Sequence, residues 1–127
     1  MKNVLLIEDE EGGRVLFQNV LHQINSSYIF HHAKNVDDAV AILENENISI
    51  DVIFLDLNLP NKNGWYFLKN MSEELNQKMI KVFILTSSIN EEDVFMSNKY
   101  GVVKGYYSKP VTIEKMKKIN AHLQEIT

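Results

Sequence analysis

The chain contains no cysteine. A disulfide framework and a thiolate metal site are therefore excluded. Only two prolines occur, Pro60 and Pro110, and no internal repeat, low-complexity tract or linker divides the chain. Long hydrophobic runs are missing as well. The opening run Val4-Leu5-Leu6-Ile7 is too short for the core of a signal peptide, and no stretch approaches the length needed to span a bilayer. Positive charge is in deficit, with 13 Lys and Arg against 17 Asp and Glu and a formal net charge of −4. Sequence-independent nucleic-acid binding depends on neutralising phosphates with Lys and Arg, so neither nucleic acid nor membrane is an expected partner. The expected setting is the cytoplasm. What remains is a chain of 127 residues, 45% hydrophobic and 24% charged. Those are the proportions of one globular domain able to bury a core.

Two kinds of segment alternate. Short apolar runs recur at Val4 to Ile7, Tyr28 to Phe30, Val52 to Leu55, Val82 to Leu85 and, with interruptions, Val102 to Tyr107. Runs such as Val52-Ile53-Phe54-Leu55 are apolar on both faces, as expected of strands sandwiched between two helical layers. Between them the apolar residues take a helical period. Leu16, Val20 and Ile24, with Phe17 and Leu21, form one stripe. Val36, Ala39, Val40 and Leu43 form another, opened by Asn35 or Asp37 as a cap. Trp65, Leu68, Met71 and Leu75 form a third. Val94 and Phe95 belong to a helix opened by Asn90-Glu91-Glu92-Asp93, where acids suit the positive end of the helix dipole. Ile113, Met116, Ile119 or Asn120, and Leu123 form the last, capped by Thr112. This βα alternation predicts a parallel sheet with helices on both faces and right-handed crossovers.

Ligands of such folds bind beyond the carboxyl ends of the strands. The residues there are Glu8-Asp9-Glu10-Glu11, His31-His32-Ala33, Asp56 followed by Leu57-Asn58-Leu59-Pro60, Thr86-Ser87-Ser88, and Ser108-Lys109-Pro110. A parallel sheet gathers Glu8, Asp9, Asp56, Thr86 and Lys109 at one edge. Three carboxylates in one place repel one another. A hard divalent cation such as Mg²⁺ relieves this, needing one or two carboxylates and keeping waters. An aspartate can attack phosphorus and form an aspartyl phosphate. A hydroxyl from Thr86 and an ammonium from Lys109 would then stabilise charge on the transferring group. Each of these residues alone has an ordinary explanation: Asp9 as a loop former, Thr86 as a β-former, Lys109 as surface, Glu10 and Glu11 as first-turn acids. Their coincidence at different strand ends of one edge is what carries the functional reading. The histidines His31 and His32 are adjacent in a strand and point to opposite faces, so they are not read as a metal site. His22 and His122 are read as solvated.

The segments Leu6-Ile7-Glu8-Asp9-Glu10, Val52 to Pro60 with Gly64, Phe83-Ile84-Leu85-Thr86-Ser87, and Gly105-Tyr106-Tyr107-Ser108-Lys109-Pro110 resemble the receiver domain of bacterial response regulators, as in the single-domain chemotaxis receiver. The resemblance runs through essentially the whole chain. It implies a flavodoxin-like doubly wound (βα)₅ fold with strand order 2-1-3-4-5, and a single receiver domain over 1–127 with no output domain. It implies Asp56 as phosphoacceptor, Asp9 and Asp56 as direct Mg²⁺ ligands, the Asn58 carbonyl as a third, and Glu8 acting mostly through water. Thr86 matches the hydroxyl that moves to the phosphoryl group, Lys109 the lysine that pairs with it, and Tyr106 the aromatic rotamer switch, while Tyr107 should point the other way. Gly64 matches the turn glycine, Ser87 the small residue that keeps the pocket open, and Lys109-Pro110 a cis peptide. Asn58 and Ser88 fall where dephosphorylation is tuned. The small receivers that serve sensor kinases, phytochrome-type photoreceptors among them, share the resemblance.

Gly12 and Gly13 depart from it, since each glycine costs about 0.5–1 kcal/mol in a helix interior. They predict a late or frayed start to the first helix. The implied function is a two-component phosphorelay: a histidine kinase or phosphotransfer protein donates to Asp56, and a protein-binding surface changes. That surface, and a possible homodimer, fall on the fourth helix, fifth strand and fifth helix. The chain is expected to catalyse only its own phosphorylation and dephosphorylation. The alternatives are a non-phosphorylated interaction module of receiver fold and a magnesium phosphatase. The phosphatase of haloacid-dehalogenase type would need a nucleophilic Asp on the first strand and a second Asp two residues on. Here the first strand ends in Glu8-Asp9, Asn58 stands two after Asp56, and no Gly-rich phosphate loop occurs.

Overall fold

The two buried faces of the first strand set the layering. In the computed structural model, which describes residues 2–87 and 89–125, Leu5 and Ile7 of β1 (Asn3–Ile7) enter one core cluster and Val4 and Leu6 enter another. Successive side chains of a strand face opposite ways, so a run apolar throughout must be covered twice. The helices are α1 (Glu11–Ile24), α2 (Val36–Glu44), α3 (Gly64–Gln77), α4 (Glu91–Ser97) and α5 (Ile113–Glu125), of which α1, α2, α3 and α5 supply the core residues that cover the sheet. The other strands are β2 (Ile29–Ala33), β3 (Val52–Asp56), β4 (Lys81–Thr86) and β5 (Val103–Ser108). All pairings are parallel, in the order β2-β1-β3-β4-β5. This is the doubly wound five-stranded architecture that the resemblance implies.

One face of the sheet packs Ile53, Leu55 and Ile84 against Phe67, Leu68 and Leu75 of α3 and Ala39 and Leu43 of α2. The other packs Phe54, Phe83 and Leu85 against Phe17 and Leu21 of α1 and Met116, Ile119 and Leu123 of α5. Rings run across this second face: Phe17 to Phe54 at 4.8 Å, then Phe54 to Phe83 at 5.5 Å. Ile119, not Asn120, faces the core; Asn120 instead accepts a hydrogen bond from the Tyr28 hydroxyl. Asn35, not Asp37, caps α2 by accepting from the Asp38 N–H, and Thr112 caps α5 through the Lys115 N–H. Asn63 and Asn90 cap α3 and α4 in the same way. No described helix is long and apolar enough to cross a membrane.

The helix α1 starts at Glu11 and contains both Gly12 and Gly13. Its start is not late, because α1 is held from its first turn against the end of β1: a Cβ on Gly13 would lie 2.7 Å from Glu8 Oε1. Leu16 is exposed rather than part of the buried stripe, which consists of Phe17, Val20 and Leu21. Ile113 is likewise exposed at the start of α5. The second strand begins after Tyr28 and continues through both histidines to Ala33, so His31-His32-Ala33 are strand and not its sequel. His22 is not simply solvated; its Nε2 donates to the Tyr28 carbonyl at 3.3 Å. His122 packs edge-on against Phe83 with centroids 5.5 Å apart.

Candidate functional site

The carboxyl edge of the sheet collects the acids. Asp56 is the last residue of β3 and Glu8 follows β1; their exposures are 4% and 3%, so both carboxylates leave water almost entirely. Asp9 is exposed beside them. One carboxylate oxygen from each of Glu8, Asp9 and Asp56 lies within 4.8 Å of the others. Unshielded burial of charge is expensive, and the chain supplies one counter-charge at this point. Lys109 Nζ donates to Asp56 Oδ2 at 2.9 Å and to Glu8 Oε1. The other Asp56 oxygen, Oδ1, accepts the Asn58 N–H at 3.0 Å.

These side chains stand on fixed backbone. The Lys109 N–H donates to the Thr86 carbonyl at 2.7 Å, tying the end of β5 to the end of β4. The Lys109-Pro110 peptide is cis, in agreement with the resemblance. Lys115 of α5 donates to the Ser108 carbonyl at 2.9 Å and to its hydroxyl at 3.0 Å. Gly64 closes the loop after Asp56, its N–H donating to the Leu57 carbonyl at 3.0 Å. A Cβ there would lie 2.8 Å from Leu57 Cα and 2.9 Å from the Asp56 carbonyl oxygen. The glycine is thus required by close approach of backbone to backbone, and its φ is not positive.

Electrostatics follow from this crowding. Burial, and then the hydrogen bond shared with Asp56, push the Glu8 pKa up to about 7, against the opposing pull of Lys109. Burial lowers the Lys109 pKa, but its hydrogen bonds and charge contacts with Glu8 and Asp56 outweigh that and leave it raised. Glu8 Oε2 is buried without a hydrogen-bond partner. An orphaned carboxylate oxygen is costly unless something positive completes it. Three carboxylates and no softer donor make a set suited to a hard, oxygen-seeking divalent cation. With Lys109 and all three acids ionised, the group sums to −2, the charge one such cation would neutralise.

Two clefts flank the acids. A polar cleft of about 530 Å³ is lined by Asp9, Asn58, Thr86, Trp65 and Asp93. A mostly apolar cleft of about 310 Å³ lies between α1 and the segment after β5, bounded by Gly13, Leu16, Glu8, Asp56, Lys109 and Val111. Leu16 is exposed because it borders this opening. Thr86 is buried at the end of β4, and Ser87 after it is exposed. The rings of Tyr106 and Tyr107 part as expected: Tyr106 packs with the α2–α3 side of the core and Tyr107 with the α1–α5 side. The Tyr106 hydroxyl is buried without a partner, and burial followed by the charge of Asp93 raises its pKa. Ser88 lies outside the described residues.

The histidines of β2 do not converge, but they are not idle. His31 Nε2 bonds Asn3 Oδ1 at 2.9 Å, and His32 Nε2 bonds the Glu8 carbonyl at 2.8 Å. The second contact reaches the acidic edge and was missed from sequence. Asp93 also stands on the wall of the polar cleft, a position that its place in the first turn of α4 does not signal.

A family model described as "Response regulator receiver domain" matches residues 4–121. The Response regulator Rcp1 of Synechocystis is 36% identical over 104 residues, covering 76% of this chain and 69% of that protein. The crystal structure of the phosphorylated cyanobacterial phytochrome response regulator RcpA superposes with a TM-score of 0.78 at 32% identity, covering 98% of this chain and 92% of that one. The Mn²⁺-bound form of response regulator Rcp1 gives a TM-score of 0.76 at 32% identity, covering 99% and 91%. With the sheet order, the acid cluster and the lysine already in place, the chain belongs to the response regulator receiver domain family.

Proposed function

We propose that the chain is a phosphoryl acceptor of a two-component relay, with Asp56 as the accepting residue. The observation that carries this reading is the position of Asp56. Its carboxylate is buried at a strand end, shares a cluster with Glu8 and Asp9, and is paired with one lysine. In the transfer, a carboxylate oxygen of Asp56 forms a bond to phosphorus. The phosphorus–nitrogen bond of a phosphohistidine donor breaks, and its electron pair stays on the imidazole. Lys109 stabilises charge on the phosphoryl oxygens. Thr86, on the wall of the polar cleft, offers its hydroxyl to the same oxygens. Tyr106 follows Thr86 as the switch residue; its half-buried ring and partnerless hydroxyl suit a group with a second available position.

Mg²⁺ is the proposed cofactor, held by Asp9, Asp56 and the Asn58 carbonyl, with Glu8 reaching it through water. When bound it would neutralise the acids and the charge developing in transfer. The orphaned Glu8 oxygen and the all-oxygen donor set support this, as does the Mn²⁺-bound relative. The chain holds one phosphoryl group at a time, loses it by self-hydrolysis and then accepts again, and it is not expected to turn over general phosphatase substrates.

The upstream partner is a histidine kinase or a histidine phosphotransfer protein in the cytoplasm, and phytochrome-type kinases are the first donors to assay given the relatives above. Downstream we place a protein contact, or a second copy of the chain, on α4, β5 and α5. Exposed Phe95, Ile89 and Met96 in and before α4, and Ile113 on α5, give that face apolar area to offer. The test is incorporation of phosphate from acetyl phosphate with Mg²⁺. The native chain should take up one equivalent of hydroxylamine-labile phosphate, and Asp56→Asn none. Undiminished incorporation in that variant overturns the proposal.

A further inference from the structure

The strand β2 stands at the edge of the sheet, and its last residues bond the Glu8 backbone at both polar atoms. The Glu8 N–H donates to the Ala33 carbonyl at 3.0 Å. The Glu8 carbonyl accepts from His32 Nε2 at 2.8 Å. A carbonyl oxygen can only accept, so this nitrogen carries the proton. The first bond continues the ladder, in which Leu6 pairs with His32 and Ile7 with Ala33. The second comes from a side chain and falls on the peptide that joins Glu8 to Asp9. That peptide sets where the exposed Asp9 carboxylate enters the cluster, since Asp9 begins where the ladder stops.

We infer that His32 is a positioning residue for the Glu8–Asp9 acid pair: its imidazole holds the Glu8 carbonyl, fixes the plane of the following peptide, and so presets the two carboxylates for a divalent cation. The imidazole touches neither cation nor phosphoryl group. Its effect is confined to preorganisation, which lowers the cost of assembling the ligands. The inference rests on the reading of the acids as a Mg²⁺ site. Groups that orient metal ligands without touching the metal typically change affinity by about 10–100-fold. Acting through backbone, His32 falls at the low end of that range.

The variants follow from atom placement. His32→Gln keeps an N–H donor at the same number of bonds from Cα as Nε2. His32→Leu removes the donor, and His32→Asn keeps an amide too short to reach. Mg²⁺ affinity is read from the fluorescence of Trp65, which borders the polar cleft with Asp9. The rate of phosphorylation by acetyl phosphate is measured as a function of Mg²⁺. His32→Leu and His32→Asn should each need about tenfold more Mg²⁺ for half-saturation, yet approach the native rate at saturation. His32→Gln should need no more than about threefold extra by the same scale. A packing role would lower the rate at all Mg²⁺ concentrations and would not be rescued by Gln. The inference is overturned if Leu and Asn bind Mg²⁺ as the native chain does, or if Gln is as impaired as they are. Native protein that binds no Mg²⁺ at all would instead overturn the metal-site reading itself, and the inference with it.

Discussion

Lys109 Nζ lies 2.9 Å from Asp56 Oδ2 and bonds the Glu8 carboxylate with the same ammonium group. One cation therefore serves two carboxylates that are each more than nine-tenths buried. Removing it as Lys109→Met leaves the acids facing each other with no positive partner. In metal-free buffer this should cost about 1–3 kcal/mol of stability, the usual cost of stranding a buried polar group. A divalent cation at the same acids replaces much of the lost charge. Urea unfolding of the variant should thus show a deficit in EDTA that shrinks in saturating Mg²⁺. An equal deficit in both buffers would show that the lysine acts through packing alone.

The raised pKa of Glu8 makes metal binding and stability depend on pH in opposite directions. Glu8 titrates near 4.5 when unfolded and near 7 when folded, raised by burial and then by the hydrogen bond shared with Asp56. Between those values the folded chain holds the extra proton, so stability falls as pH rises. The contribution is fully present below pH 4.5 and is lost as pH rises through about 7. Mg²⁺ must displace that proton. Mg²⁺ affinity should therefore climb as pH rises toward 7 and flatten above it. Glu8→Gln should remove both slopes. Trp65 fluorescence titrations and metal-free thermal melts across this range check the pair of signs. Affinity that falls as pH rises toward 7 would contradict the assignment.

The sheet was legible because β1, β3 and β4 are apolar on both faces, a pattern that admits few structures besides a covered parallel strand. The edge strand β2 was not, because only one neighbour pairs with it and its sequence includes two histidines; its apolar run ends at Phe30, three residues before the strand does. At the site, Glu8, Asp9, Asp56, Thr86 and Lys109 were legible together because a parallel sheet brings strand ends to one edge. The bond from His32 to the Glu8 carbonyl had no sequence signal. Its acceptor is backbone, and which side chain reaches it depends on register. The start of α1 was misplaced for a related reason: the cost of Gly12 and Gly13 is local, whereas the contact of Gly13 with Glu8 is tertiary.

Met79 offers a test of stored backbone strain away from the site. It follows α3 with φ of 60° and is 78% exposed. A left-handed conformation costs an L-residue roughly 1–2 kcal/mol, and an exposed side chain there returns little burial. Met79→Gly removes the clash but loosens the unfolded chain. The expected balance is a gain of up to about 1 kcal/mol, visible as a higher urea midpoint with phosphorylation of Asp56 unchanged. A lower midpoint would mean that Met79 makes contacts that outweigh its conformation.

Gly12 and Gly64 should respond to alanine with opposite signs. Nothing lies within 4 Å of a Cβ on Gly12, which is exposed inside α1. Gly12→Ala should raise stability through helix propensity, by less than the roughly 0.5–1 kcal/mol of a helix interior because Gly12 lies in the first turn, and leave phosphorylation unaltered. On Gly64 the same methyl meets Leu57 Cα at 2.8 Å and the Asp56 carbonyl at 2.9 Å. Both are backbone, so neither can swing aside as a side chain end would. The loop between β3 and α3 must shift, at a cost of about 1–3 kcal/mol, as for other overpacked positions. Because that loop carries Asn58, whose N–H bonds Asp56 Oδ1, Gly64→Ala should also slow incorporation from acetyl phosphate at saturating Mg²⁺. A Gly64→Ala chain as stable and as readily phosphorylated as the native one would show that the approach of α3 to Asp56 is looser than these distances imply.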